Sequence, residues 1–216
     1  MRRLLSALSL TALVAAAACG GAQGQAPSSP TPNDAQMVPL GYGRLNQDDI
    51  SIRLTSGDLE VRFVPLEERI LRLLASDAYR ALHDLRESRR AAIDSIAHRY
   101  GIASPGVALV TFFAARAGQQ YQPQDIALSV QGQEFRALSI VPISSNFSNQ
   151  QLANRDQASA LYIFEMPVPV MQEFTLSYGA IRTDAWRSRV TTISREQERL
   201  LLRARSAEAD STRSSP

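Results

Sequence analysis

The chain of 216 residues contains no lysine, one cysteine, two histidines and one tryptophan. Each scarcity removes a class of chemistry. A single cysteine, Cys19, excludes an internal disulfide, a C-x-x-C redox pair and a cysteine-held zinc. The two histidines, His83 and His98, stand fifteen residues apart in what reads as one helix. At 1.5 Å per residue that is roughly 22 Å, too far for both to hold one metal. H-E-x-x-H, G-x-S-x-G, the P-loop, G-x-G-x-x-G and the EF-hand loop are all absent. Neither a cofactor nor a metal is expected, and the chain reads as non-enzymatic.

With no lysine, every positive charge is arginine, which fits codon usage in a GC-rich genome better than arginine-specific recognition. The formal charge of +2 overstates the basic character. Removing residues 1–18 would take Arg2 and Arg3 and leave 21 arginines against 21 acids. A neutral body has little pull on a phosphate backbone, so nucleic acid is not an expected partner.

What is present begins at the N-terminus. Met1-Arg2-Arg3 is followed by an apolar stretch over Leu4–Val14, small residues over Ala15–Ala18, then Cys19. This is the layout of an export signal and is short for a membrane span. Ending at cysteine, it resembles the signal of bacterial lipoproteins. That resemblance covers about the first twenty residues. It implies cleavage before Cys19 and a diacylglycerol on its sulfur, although the class usually has leucine where this chain has Ala16. Ordinary cleavage after Ala16-Ala17-Ala18 fits the same residues. Buried acyl CH₂ groups contribute about 0.8 kcal/mol each, so two or three chains hold firmly where one is marginal. The resemblance implies a membrane partner through the lipid and a place in the bacterial cell envelope. Gly20, standing where aspartate retains enterobacterial members at the inner membrane, leans towards the outer membrane, facing the periplasm. Residues 19–39, rich in Gly, Gln, Pro, Ser and Thr, read as a lipidated cysteine and a disordered tether. Such a coil spans roughly 25 Å root-mean-square.

The remainder, 40–205, reads as one α+β domain: mainly an antiparallel β-sandwich, with immunoglobulin-like topology among the arrangements allowed. Residues 50–55 and 58–64 alternate as hairpin strands around a Ser56-Gly57 turn. A two-helix insertion is expected over 66–100, its second helix starting at an Asp77 cap and ending at Gly101. Val107–Ala115, apolar on both faces, suits a central strand. Further strands are expected at 126–130, 134–141, 158–165, 174–178 and 185–190. Ser194-x-x-Gln197 is a capping box for a C-terminal helix, and 206–216 reads as a disordered tail.

Candidate side chains are few. Asp94–His98 and His83–Glu87 sit at i, i+4, a spacing more usual for surface pairs than for half a metal site. Asp48-Asp49 reads as a cap rather than a catalytic pair. Arg187 and Arg189 alternate on the expected last strand, with Trp186 facing the other way, and could meet a small anion. Phe147 in the polar 144–157 loop, with Met166, Val168 and Met171 in a proline-broken segment, forms a candidate partner-binding edge or a core bend. The leading expectation is a tethered module that binds another envelope protein, its oligomeric state undefined. The alternatives are a carrier or sensor of a small apolar ligand held beneath the insertion, and a hydrolase using either histidine.

Overall fold

The computed structural model describes residues 38–213, with side chains through Ala207. The signal segment, Cys19 and the tether through residue 37 lie outside the described residues.

After a capped 3-10 turn at Gln47–Ile50, the chain forms β1 (Ile52–Ser56) and β2 (Leu59–Pro65). Three helices follow: α1 (Glu68–Leu71), α2 (Ser76–Ser88) and α3 (Arg90–Tyr100). Then come β3 (Gly106–Ala114), β4 (Gln119–Gln120), β5 (Ile126–Val130), β6 (Gln133–Arg136) and β7 (Ser139–Pro142). The chain ends with β8 (Gln151–Leu152), β9 (Gln157–Phe164), β10 (Thr175–Tyr178), β11 (Ile181–Thr183) and α4 (Trp186–Arg213). The fold is α+β, and every strand pairing is antiparallel.

One sheet runs β1-β2-β3-β9-β7 and a second runs β11-β10-β5-β6, with β4 and β8 as a small ribbon. The first three strands form a meander in one sheet, whereas immunoglobulin order sends the third strand to the opposite sheet. β3 is central, as its two-sided apolarity requires. Both sheets contribute to one apolar core. Phe63 of β2 meets Phe174, beside β10, edge-on at 6.2 Å, and the Tyr162 hydroxyl of β9 donates to the Pro123 carbonyl at 2.8 Å.

The first turn is Gly57-Asp58 rather than Ser56-Gly57, because Ser56 pairs with Leu59 and Gly57 adopts φ +61°. The helix expected from Asp77 begins at Ser76 and breaks at Arg89, where φ and ψ are −112° and 6°. Ser88 Oγ donates to the Leu85 carbonyl at 2.7 Å there, competing with helical hydrogen bonding. Gly101 closes α3 at φ +68°, in the left-handed geometry its position suggests.

Two expectations need larger correction. Residues 134–141 are two strands, not one: β6 and β7 lie on the edges of different sheets, so the chain crosses at Ala137-Leu138. Residues 185–190 are not a strand. They open α4, because Trp186, Ile193, Gln197 and Leu200 make a longer inward stripe at helical spacing. The capping box at Ser194 is therefore inside a helix. The tail is helical through Arg213, where disorder was expected from 206.

No helix among the described residues is long and apolar enough to cross a membrane.

Candidate interaction surface

Three of the side chains expected at an interaction surface are core residues. Phe147 is 5 % exposed, Val168 3 % and Trp186 0 %. Phe147 joins a cluster in which Phe112 and Tyr121 stack at 4.3 Å, and its carbonyl accepts from the Tyr121 hydroxyl at 2.6 Å. Burial, with Asp156 and Tyr178 adding to it, pushes the Tyr121 phenol up to about 12. Trp186 stacks on Phe174 at 4.9 Å and its ring N–H donates to the Val170 carbonyl at 3.3 Å. The strand face expected to carry Arg187 and Arg189 does not exist, since both lie on α4. Arg187 is exposed and pairs with Glu173 at 2.8 Å, while Arg189 is half-buried with Nε enclosed and without a hydrogen-bond partner.

Met166 and Met171 are half-buried on a strap that crosses the start of β3. Gly106 permits that crossing: a Cβ there would overlap the Met166 carbonyl oxygen. Glu67 pins the strap by accepting from the Val168 N–H at 3.0 Å. Burial pushes the Glu67 carboxyl above its ordinary pKa, against the opposing hydrogen bond from Val168 and the charge of Arg86. The residue as a whole keeps some exposure, and its carboxyl end is the enclosed part.

Met166, Pro167 and Pro169 border a small apolar dimple with Val130 and Phe135 of the β5–β6 hairpin. Its free volume is about 10 Å³, at the lower limit for one water. Gln131 and Gly132 turn that hairpin with φ +52° and +85°, the two positive values of a type I′ turn. From Ser129 to Asn146 no residue is fully buried. This run carries Phe135, Leu138, Ile140, Val141 and Ile143, all half-exposed. β6 and β7 are sheet edges, so alternate backbone groups face outwards unpaired. The two edges are guarded differently. β6 carries Glu134 and Arg136, bridged at 2.7 Å, whereas β7 is uncharged and ends at Pro142. Sequence reading missed this edge because it merged β6 and β7 into one strand.

A second concavity, about 450 Å³, lies beside the helical insertion. Its walls include Glu68, Arg72, His83, Arg86 and Arg90, so it is charged rather than apolar. His83 stacks on Tyr79 with ring centroids 5.0 Å apart, and its Nδ1 lies 3.2 Å from the Tyr79 hydroxyl and 3.5 Å from Glu68 Oε2. Glu68 is held in turn by Arg72 at 2.8 Å. His98 is exposed on α3, and Asp94 pairs with Arg90 at 3.7 Å. Among the described residues, no group of three or more His, Cys, Asp or Glu could hold a metal. Asp49 caps its turn, accepting from the Asn46 N–H at 2.7 Å, while Asp48 pairs with Arg53 and Arg62. Gly43 lies so close to the Leu73 backbone that a Cβ would overlap it, which accounts for a glycine there.

These features define a two-sheet α+β domain with an open, uncharged edge at β7. No protein-family model, curated protein or solved structure matches the chain.

Proposed function

We propose that the chain is a non-enzymatic, lipid-anchored module of the bacterial cell envelope, tethered through Cys19 to the outer membrane and docking another envelope protein along β6–β7. The N-terminal layout supports the address. The docking role rests on one observation: no residue from Ser129 to Asn146 is fully buried, and within that stretch the uncharged β7 brings half-exposed Ile140 and Val141 to a sheet edge open in backbone. An extended partner segment can add to such an edge, with backbone hydrogen bonds supplying affinity and the Phe135–Met166 dimple supplying selectivity.

A carrier of an apolar ligand held beneath the insertion is less well supported, since the space there is charged and the roomier apolar concavity, about 400 Å³, lies elsewhere, between Pro39, Tyr42 and Leu200 to Ala207 of α4. The hydrolase reading is weaker again. His83 Nδ1 meets the Tyr79 phenol at 3.2 Å and Glu68 Oε2 at 3.5 Å, and neither is a serine or threonine hydroxyl.

The test places a photo-crosslinking residue at Ile140 in the lipid-anchored chain at native abundance. One discrete cross-linked species is expected, lost when Val141→Lys charges the edge and absent when the probe sits at Ala117. No discrete species at Ile140, or the same species from Ala117, would overturn the docking role.

A further inference from the structure

The chain enters the domain at a fixed point. Val38 is 2 % exposed, and Arg72 reaches its carbonyl at 3.4 Å. The next residues turn outwards: Leu40 is 48 % exposed and Tyr42 50 %. Both lie beside α4. Arg199 donates to the Tyr42 carbonyl at 2.9 Å, and the Arg203 guanidinium sits over the Tyr42 ring at 5.0 Å. On α4, Arg195, Arg199, Leu202, Arg203 and Ser206 recur at spacings that share one helix face. Leu202 is 62 % exposed, the most exposed large apolar side chain among the described residues. Acids lie nearby as well: the Gln47–Ile50 turn, which carries Asp48 and Asp49, packs on α4, and Asp210 follows Ser206 four residues on. Glu196 is buried and bridged to Arg199, and Glu198 falls on the adjoining face.

We infer that this face, formed by Tyr42, Leu202 and the exposed Arg195 and Arg203 of α4, is a contact site for an anionic lipid surface. Exposed leucine with an amphipathic tyrosine suits the headgroup boundary, where apolar bodies enter and polar tips stay wet. The exposed arginines complement lipid phosphates. Position agrees with chemistry: eighteen residues separate Cys19 from Val38. Even fully extended they span at most about 65 Å. A lipid on Cys19 would therefore keep the chain's entry point, which this face adjoins, within about 65 Å of the bilayer. The inference shares the Cys19 anchor with the proposed function, so its test removes that anchor.

The full chain carrying Cys19→Ser and Ser206→Cys is labelled at residue 206 with an environment-sensitive dye. It is mixed with vesicles of phosphatidylglycerol and phosphatidylcholine in equal parts. A blue shift is expected with these vesicles, and none with phosphatidylcholine alone or with the dye at Ala117→Cys. Arg195→Gln with Arg203→Gln should weaken vesicle binding about 25-fold, close to five-fold per arginine. Leu202→Ser should weaken it further. All variants share the same leader, so these differences belong to α4. An unshifted dye at 206 on sedimenting vesicles, equal shifts at both positions, or unchanged binding of the double variant would each overturn the inference. So would a shift produced by envelope protein extract and not by vesicles. Such a failure leaves the cross-linking result at Ile140 standing, because that is read at another surface on the anchored chain.

Discussion

Two carboxylates, Glu67 and Glu196, are buried to opposite effect. Burial dominates at Glu67 and raises its pKa, so the folded state prefers it protonated. Its contribution to stability is full below the unfolded pKa and is lost as pH rises through the raised folded value. Glu67→Gln keeps an oxygen for the Val168 N–H without the buried charge. In thermal melts it should match the parent chain in acid and exceed it near neutral pH. A less stable variant at neutral pH would mean that attraction to Arg86 outweighs burial. Glu196 has the reverse sign. A hydrogen bond from Arg199 holds its pKa below the usual carboxylate range, with burial opposing and the Arg44 N–H assisting at 2.9 Å. Its stabilisation is present above the unfolded pKa and lost as pH falls through the lowered folded value. Glu196→Gln should cost about 1.5–3 kcal/mol at neutral pH by denaturant titration, the range for hydrogen bonds to charged groups. The gap should close in acid. Neither role was legible in the sequence, where each is one acid among 21. Val168 lies 101 residues from Glu67 and Arg44 lies 152 residues from Glu196, whose nearer partner Arg199 is at i, i+3.

At the scale of elements, legibility followed the length of the pattern. β1, β2 and β3 could be read because strict alternation or two-sided apolarity runs for five to nine residues. The end of α3 could be read because glycine, lacking a Cβ, readily takes the left-handed geometry that closes a helix, as Gly101 does. Residues 185–190 misled, because six residues are too few to separate alternation from the start of a helical stripe. The strap over 166–171 stayed ambiguous for another reason. Its place depends on Gly106, whose missing Cβ admits the Met166 carbonyl. Gly106→Ala must push the strap off β3 or distort the strand's first pair, Gly106 with Phe164. A loss of about 1–3 kcal/mol is expected from such overpacking, measured by chemical denaturation. Because the strap borders the Phe135 dimple, the same variant should reduce cross-linking at Ile140 while the chain remains folded. Full stability in the variant would show that the strap does not need the close approach.

For the molecule as a whole, the question is whether two sheets and four helices unfold together. The sheets do not share strands, yet the core does not divide between them. Phe63 of the first sheet touches both Phe164 and Phe174, and Phe174 stacks on Trp186 at the head of α4. β6 and β7 join the sheets covalently through two residues, Ala137 and Leu138, with the Leu138 N–H bound to the Ile163 carbonyl at 2.7 Å. Separating the sheets would expose this aromatic chain to water, at roughly 1.5–3 kcal/mol for each large side chain uncovered. A half-unfolded state is therefore penalised, and a single transition is expected. The chain supplies its own probe, since its one tryptophan lies fully buried where the second sheet meets α4. Tryptophan emission and far-ultraviolet circular dichroism should give the same urea midpoint. If emission changed first, α4 and the second sheet would be leaving a first sheet that survives alone, and the shared core would not be what joins them.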